Sequence, residues 1–164
     1  MHILAIDPGA VQSGVVELDL ETRRVSRAGV LANRDVPRRF NSNHVKVVAI
    51  EDFVTYQAVD RTARETMKWS GVFRWWAEFN SKRVLEITRS EIKAHLCGSC
   101  RGMRDTHVWA ACCDWYGVGV KDAKGTKAHP GPLYGVTSHA RAATAVAMVA
   151  YDLFKAADAA EGET

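Results

Sequence analysis

Ile3-Leu4-Ala5-Ile6-Asp7-Pro8-Gly9 is the stretch on which the fold turns. Strand alternation puts Ile3, Ala5 and Asp7 on one face and Leu4 and Ile6 on the other. Both faces are apolar up to the carboxylate, the pattern of a strand covered on both sides. Pro8-Gly9 then turns the chain. A second run, Lys46-Val47-Val48-Ala49-Ile50-Glu51, repeats the arrangement. It is short, continuous and apolar, it ends in an acid, and Glu51 shares a face with Val47 and Ala49. Both runs are thus predicted to be buried strands, each ending in an acid.

Outward from these, Val11 to Leu20 reads as a second strand and Arg24 to Leu31 as a third, making an antiparallel meander. Residues 33–44 are polar and broken by Pro37, which predicts a loop or at most a short helical turn. Asp60 to Asn80 is helical in composition, and Val84 to Ile87 is a strand leading into a helix that starts near Ser90. Asp105 is placed as the N-cap of another helix, running to about Tyr116. Residues 117–135 form a glycine- and lysine-rich loop closed by His129-Pro130-Gly131-Pro132, and an alanine-rich helix runs from Ser138 to about Ala160. Three antiparallel strands followed by strands alternating with helices predict an α/β fold, a mixed sheet flanked by helices. With no repeat and no linker, residues 1–160 are expected to form one domain, with 161–164 a short tail.

At 164 residues, 47% hydrophobic and 25% charged, the composition is that of a globular domain with a real core. No run approaches the roughly 20 apolar residues of a membrane span. The N-terminus enters a strand pattern at once, without a signal-peptide layout, so the expected location is the cytoplasm of a bacterium or of a phage-infected host cell. The net charge of +3 is unevenly spread. Residues 1–60 hold 7 Lys/Arg against 8 Asp/Glu, residues 61–127 hold 13 against 7, and residues 128–164 hold 2 against 4. A basic middle is either a phosphate-binding footprint or a set of solvated helix faces. Cys97, Cys100, Cys112 and Cys113 fit no standard zinc spacing and read better as packing thiols.

The chemistry rests on the two acids. A carboxylate at the end of a buried strand is costly unless something neutralises it. A divalent metal between two such carboxylates does so, and hard Mg²⁺ prefers oxygen ligands. The reaction that follows is phosphodiester hydrolysis assisted by metal ions. Either acid alone could merely cap a strand at the surface. The ordered pair is not explained that way.

The motif Ile3 to Gly9 with the later Gly14 resembles the first motif of RuvC-type resolvases, members of the RNase H-like superfamily, and Ala49-Ile50-Glu51-Asp52-Phe53 resembles their second. Similarity continues through Ser70-Gly71, Glu91-Ile92-Lys93 and Cys97-Gly98, in the right order over most of the chain. The resemblance implies an RNase H-like fold, an endonuclease that cuts branched DNA such as a Holliday junction, and Mg²⁺ or Mn²⁺ held by Asp7 and Glu51. It also implies further ligands on the C-terminal helix, and there the chain departs. In His139-Ala140-Arg141-Ala142-Ala143, His139 matches the first ligand position, but Ala142 stands where the family has Asp. One helical turn separates the two positions, so both are expected to face one site. Three explanations compete: an inactivated variant, a phage-like branch in which Asp7, Glu51 and His139 suffice, or substitution by a nearby acid. Residues 130–135 with His139 resemble phage-encoded members. The alternative role for His139 is a helix-start residue without a metal.

Arg61, Arg64 and Lys68, at helical spacing, and Lys121, Lys124 and Lys127, in the loop, are the expected DNA contacts; the rival reading is two solvated surfaces. Trp69, Phe73, Trp75 and Trp76 crowd more aromatic bulk onto one helix than a single face can bury. In RuvC-like enzymes the corresponding helix forms a dimer interface, and a homodimer would set two active sites against two strands. Stacking on unpaired bases is the rival use. The resemblance also implies a helix between the third strand and Glu51; its loss would leave one sheet face thinly covered, or covered by a partner. Two other functions stay open: a junction-binding protein without turnover because of Ala142, and a nuclease acting on flaps or RNA–DNA hybrids.

Overall fold

Strands β1 (His2–Asp7), β2 (Gln12–Asp19), β3 (Val25–Ala32), β4 (Val45–Asp52) and β5 (Arg83–Thr88) form one sheet in the order β3-β2-β1-β4-β5. The computed structural model describes residues 1–40, 42–53, 60–137 and 139–162, the last two by backbone only. β1 pairs antiparallel with β2 and parallel with β4, while β2–β3 is antiparallel and β4–β5 parallel. This is the expected RNase H-like mixed sheet, a meander followed by parallel strands. The helices are α1 (Arg61–Phe79), α2 (Arg89–Cys97), α3 (Asp105–Asp114), a short α4 (Val120–Lys124) and α5 (Ala140–Gly162).

The alternation in β1 and β4 divides the core as the sequence predicts. Ile3, Ala5, Val47 and Ala49 belong to one buried cluster, with α5 as its lid. Ala140, Ala143, Ala145, Ala147 and Ala150 are all within 1% of full burial, so small side chains let α5 lie close across the sheet. Leu4, Ile6, Val48 and Ile50 enter the opposite cluster, with Phe73 and Ala77 of α1.

Local signals fix the helix ends. Asp60 caps α1 by accepting from the Ala63 amide at 2.7 Å. Thr88 and Glu91 form a reciprocal capping box at the start of α2, with bonds of 3.2 and 2.7 Å. Gly98, at φ 73°, ends α2 in the left-handed conformation.

Four expectations need correction. Residues 33–39, expected as loop or at most a short helical turn, form a seven-residue 3-10 helix (Asn33–Arg39), and Val36 inside it and Phe40 beyond it are fully buried in one cluster with Leu4 and Ile6. That sheet face is therefore covered by the chain itself. Its polar composition hid the helix because Val36 is its one buried apolar side chain, its other buried residue being the polar Asn33. Asp105 is the first residue of α3, with Arg104 at the cap position, so its carboxylate is free for other work. The stretch 117–135 contains α4, whose Ala123 is buried. The terminal helix continues to Gly162, past the expected end near Ala160. Cys112 and Cys113 are fully buried core residues, and burial pushes the Cys112 thiol up to about 12. Among the described residues no helix is long and apolar enough to cross a membrane.

Candidate active site

β1 and β4 run parallel and in register, Ala5 opposite Ala49 and Ile6 opposite Ile50, so Asp7 and Glu51 leave the same end of the sheet side by side. Both side chains are mostly buried, with 18% and 15% of their surface accessible. They line a cleft of about 540 Å³ that also takes in Arg89, Asp105, His139 and Arg141. Ala142 lines it too, one turn along α5 from His139. Asp7, Glu51 and His139 therefore all line one cleft, and position 142 faces the same space as a methyl group.

The turn after Asp7 is tied down by a small polar network. Ser13 donates to Asn33 Oδ1 at 2.7 Å, Asn33 Nδ2 donates to the Gly9 carbonyl at 2.8 Å, and the Gly9 amide donates to Ser13 Oγ at 3.3 Å. Ser13 and Asn33 are buried, so each bond satisfies a group that water cannot reach. Gly14, the register partner of Asp7 on β2, lets α5 approach. A Cβ at that position would collide with the His139 carbonyl. That close approach puts His139 Nδ1 3.4 Å from Asp7 Oδ2.

Electrostatically the cleft is short of positive charge. Burial raises the Asp7 carboxyl above its ordinary range, although His139 and Arg89 pull it back. Burial, followed by the charge of Asp7, pushes Glu51 up to about 7. The protein's own answer is Arg89, at the start of α2, which reaches Glu51 Oε2 at 3.5 Å and also bonds to Asp105. Arg141 stacks over the Trp109 ring at 4.8 Å, and both line the cleft.

The donor set suits a hard divalent cation. Two under-compensated carboxylate groups on rigid strands, with a third at Asp105, supply the oxygens such an ion prefers. Among the described residues no three His, Cys, Asp or Glu side chains are drawn in around a single point as the structure stands. Glu51 and Asp105 are turned to the Arg89 guanidinium instead.

Sequence reasoning missed Arg89 and Asp105. A signal existed for Arg89. It follows directly on the end of β5, which pairs parallel with β4, so it had to emerge at the same end as Glu51. Asp105 was placed at a helix start, but nothing in its surroundings showed which way that start would face.

The six expected DNA-contacting cations lie elsewhere, since the described lining of the cleft contains none of them. Arg61, Arg64 and Lys68 project from α1, where Lys68 pairs with Glu65 at 2.7 Å. Lys121 and Lys127 are exposed and Lys124 is half-buried, on and just after α4. On α1, Phe73 is buried and Trp69 and Trp76 pack partly against the core. Trp75 and Phe79 remain 56% and 69% exposed and stack on each other at 5.3 Å.

No family model matches the sequence, and no curated protein matches it. Among solved structures the chain is similar to that of Thermus thermophilus RuvC, with a TM-score of 0.68 and 18% identity over 95% of this chain and 97% of that one. It is also similar to a structure of T. thermophilus RuvC in complex with Holliday junction substrate, with a TM-score of 0.64 and 18% identity over 92% and 94% of the two chains. The fold is thus RuvC-like over nearly its whole length.

Proposed function

We propose that this protein is a divalent-metal-dependent endonuclease that cuts branched DNA, with the four-way junction as its substrate. The observation that carries this reading is the pair Asp7 and Glu51, buried side by side at the ends of adjacent parallel strands, with His139 against Asp7. Two buried carboxylate groups without enough cation around them are expensive to fold. A site that bears this cost has a use for it. Likeness to a RuvC structure holding a Holliday junction supports the choice of substrate.

In this reading Asp7, Glu51 and His139 hold Mg²⁺ or Mn²⁺. Such ions supply an activated water and charge stabilisation for the departing oxygen. The protein's share is positioning. The in-register strands set the spacing of the two carboxylate groups, and the closeness of α5 allowed by Gly14 aims His139 at Asp7. Arg141, an exposed residue of the cleft lining, is the cation offered to a phosphate. Arg61, Arg64, Lys68, Lys121, Lys124 and Lys127 hold the DNA arms through salt-sensitive phosphate contacts. The exposed Trp75 and Phe79 on α1 form the core of a homodimer interface, which sets two such clefts against two strands. We place the protein on the phage-like branch of these enzymes, and its single domain over residues 1–160 in the cytoplasm.

Asp7→Asn tests the reading. It keeps the shape and removes the charge, so junction cleavage falls by more than the roughly 10–100-fold that loss of an outer-shell partner costs. Junction affinity in a gel-shift assay stays within about twofold, because phosphate contacts carry binding. Equal loss of both would contradict the assignment. A second reading has Ala142 in its favour: without a ligand there, the protein binds junctions and does not cut them. Wild-type binding with no cleavage in either metal would select it.

A further inference from the structure

The cleft contains one more carboxylate than the reading above uses. Asp105 opens α3 directly across from the start of α5, and its side chain is 81% exposed. A helix start favours an acid through the backbone dipole. The dipole does not explain why this carboxylate turns to Arg89, or why Arg89 holds Glu51 at the same time. The charge of Asp105 is felt by Asp7 and by Glu51 alike, raising both. Glu51 from β4 and Asp105 from α3 thus share one guanidinium, whose charge Asp7 of β1 also feels. On the α5 side, His139 brings a nitrogen and Ala142 brings nothing.

We propose that Asp105 is a metal ligand of this site, supplied by α3, and that Arg89 is an internal counter-cation that competes with the metal for Glu51 and Asp105. This rests on the metal-centre reading given above. The physics is charge balance. A guanidinium carries one positive charge and satisfies two carboxylate groups at the edge of the cleft. A divalent ion brings twice the charge and can be shared by more oxygens. Entry of the ion frees Arg89 from the carboxylate groups, and the freed guanidinium is left facing the cleft.

The test uses Mn²⁺ binding to the full-length protein without DNA, followed by isothermal titration calorimetry and by the electron-spin signal of free Mn²⁺. Asp105→Asn and Arg89→Gln break the same ion pair from opposite ends. Asp105→Asn removes a ligand and weakens Mn²⁺ at least about tenfold. Arg89→Gln removes a competitor and a repelling charge, and tightens Mn²⁺ by about as much. A merely structural ion pair would move both variants in the same direction, and that result overturns the proposal, as does an unchanged affinity in Asp105→Asn. Failure of the wild type to bind Mn²⁺ at all would instead overturn the metal-centre reading itself, and this inference with it. Asp105→Asn keeps side-chain shape at an exposed position, whereas Arg89→Gln shortens a part-buried side chain, so Mn²⁺ affinity is compared only under conditions where urea denaturation in EDTA shows each variant fully folded.

Discussion

Glu51→Gln removes a charge from the bottom of the cleft while keeping a group that can accept from Arg89. Burial first, and the charge of Asp7 second, lift the Glu51 carboxyl from 4.5 to about 7, a value that already includes the opposing pull of Arg89. The folded chain therefore holds this proton more tightly than the unfolded chain. The associated stability is fully present below about pH 4.5 and is lost as the pH rises through about 7. At about 1.4 kcal/mol per unit, wild type gives up roughly 3 kcal/mol by pH 8, and the glutamine variant does not. In EDTA the two proteins should be within about 0.5 kcal/mol of each other at pH 4.5, with the variant about 3 kcal/mol more stable at pH 8. For a chain of this size that is a melting-temperature gap of roughly 6–12 °C. Urea denaturation at the two pH values reads it directly. Saturating Mn²⁺ at pH 8 should reverse the order, because only wild type keeps the full ligand set. A variant no more stable than wild type at pH 8 in EDTA would refute the claim that this carboxylate is buried without sufficient compensation.

Two further substitutions probe how the site is built. Gly14→Ala drives a Cβ into the His139 carbonyl, so β2 and the start of α5 must part, at a cost of about 1–3 kcal/mol by urea denaturation. Mn²⁺ affinity should fall with it, and an unchanged affinity would mean that His139 is not held by this contact. On α1, Phe73→Ala empties a fully buried position and should cost about 3–5 kcal/mol. Trp75→Ala should cost less than about 1 kcal/mol in the monomer yet shift the protein from dimer to monomer in sedimentation. A sedimentation profile identical to wild type would remove Trp75 from any interface.

The parts of this molecule that were legible in its sequence are those set by short-range periodicity. The alternation in Ile3 to Asp7 and Val47 to Glu51 located two strands, their two faces and the two acids, because side chains two apart on a strand share a face. The helical composition from Asp60 to Asn80 bounded α1 closely, and these two residues prove to be its caps. The 3-10 helix at 33–39 was illegible because its two core contacts, Val36 and Phe40, are spaced within polar sequence and gain meaning only under β1. The Arg89 and Asp105 pair was illegible for a different reason. Its two residues are 16 apart in sequence, and their meeting depends on how α3 packs against α2 and α5. Arg61 and Lys68 were legible as a helical stripe, while the surface pair of Lys68 with Glu65 depends on side-chain rotamers that periodicity does not report.

Whether Asp7 and Glu51 make this fold a junction-cutting enzyme is decided by a cleavage assay. A synthetic four-way junction, with matched duplex and flap controls, is incubated with the wild-type protein in Mg²⁺ and then in Mn²⁺, and the products are mapped on each strand. Paired nicks are expected on opposing strands of the junction, with none on the duplex and none without the metal. Cleavage that ignores branching, or none in either metal from a protein that folds and binds the junction, would contradict that role for Asp7 and Glu51.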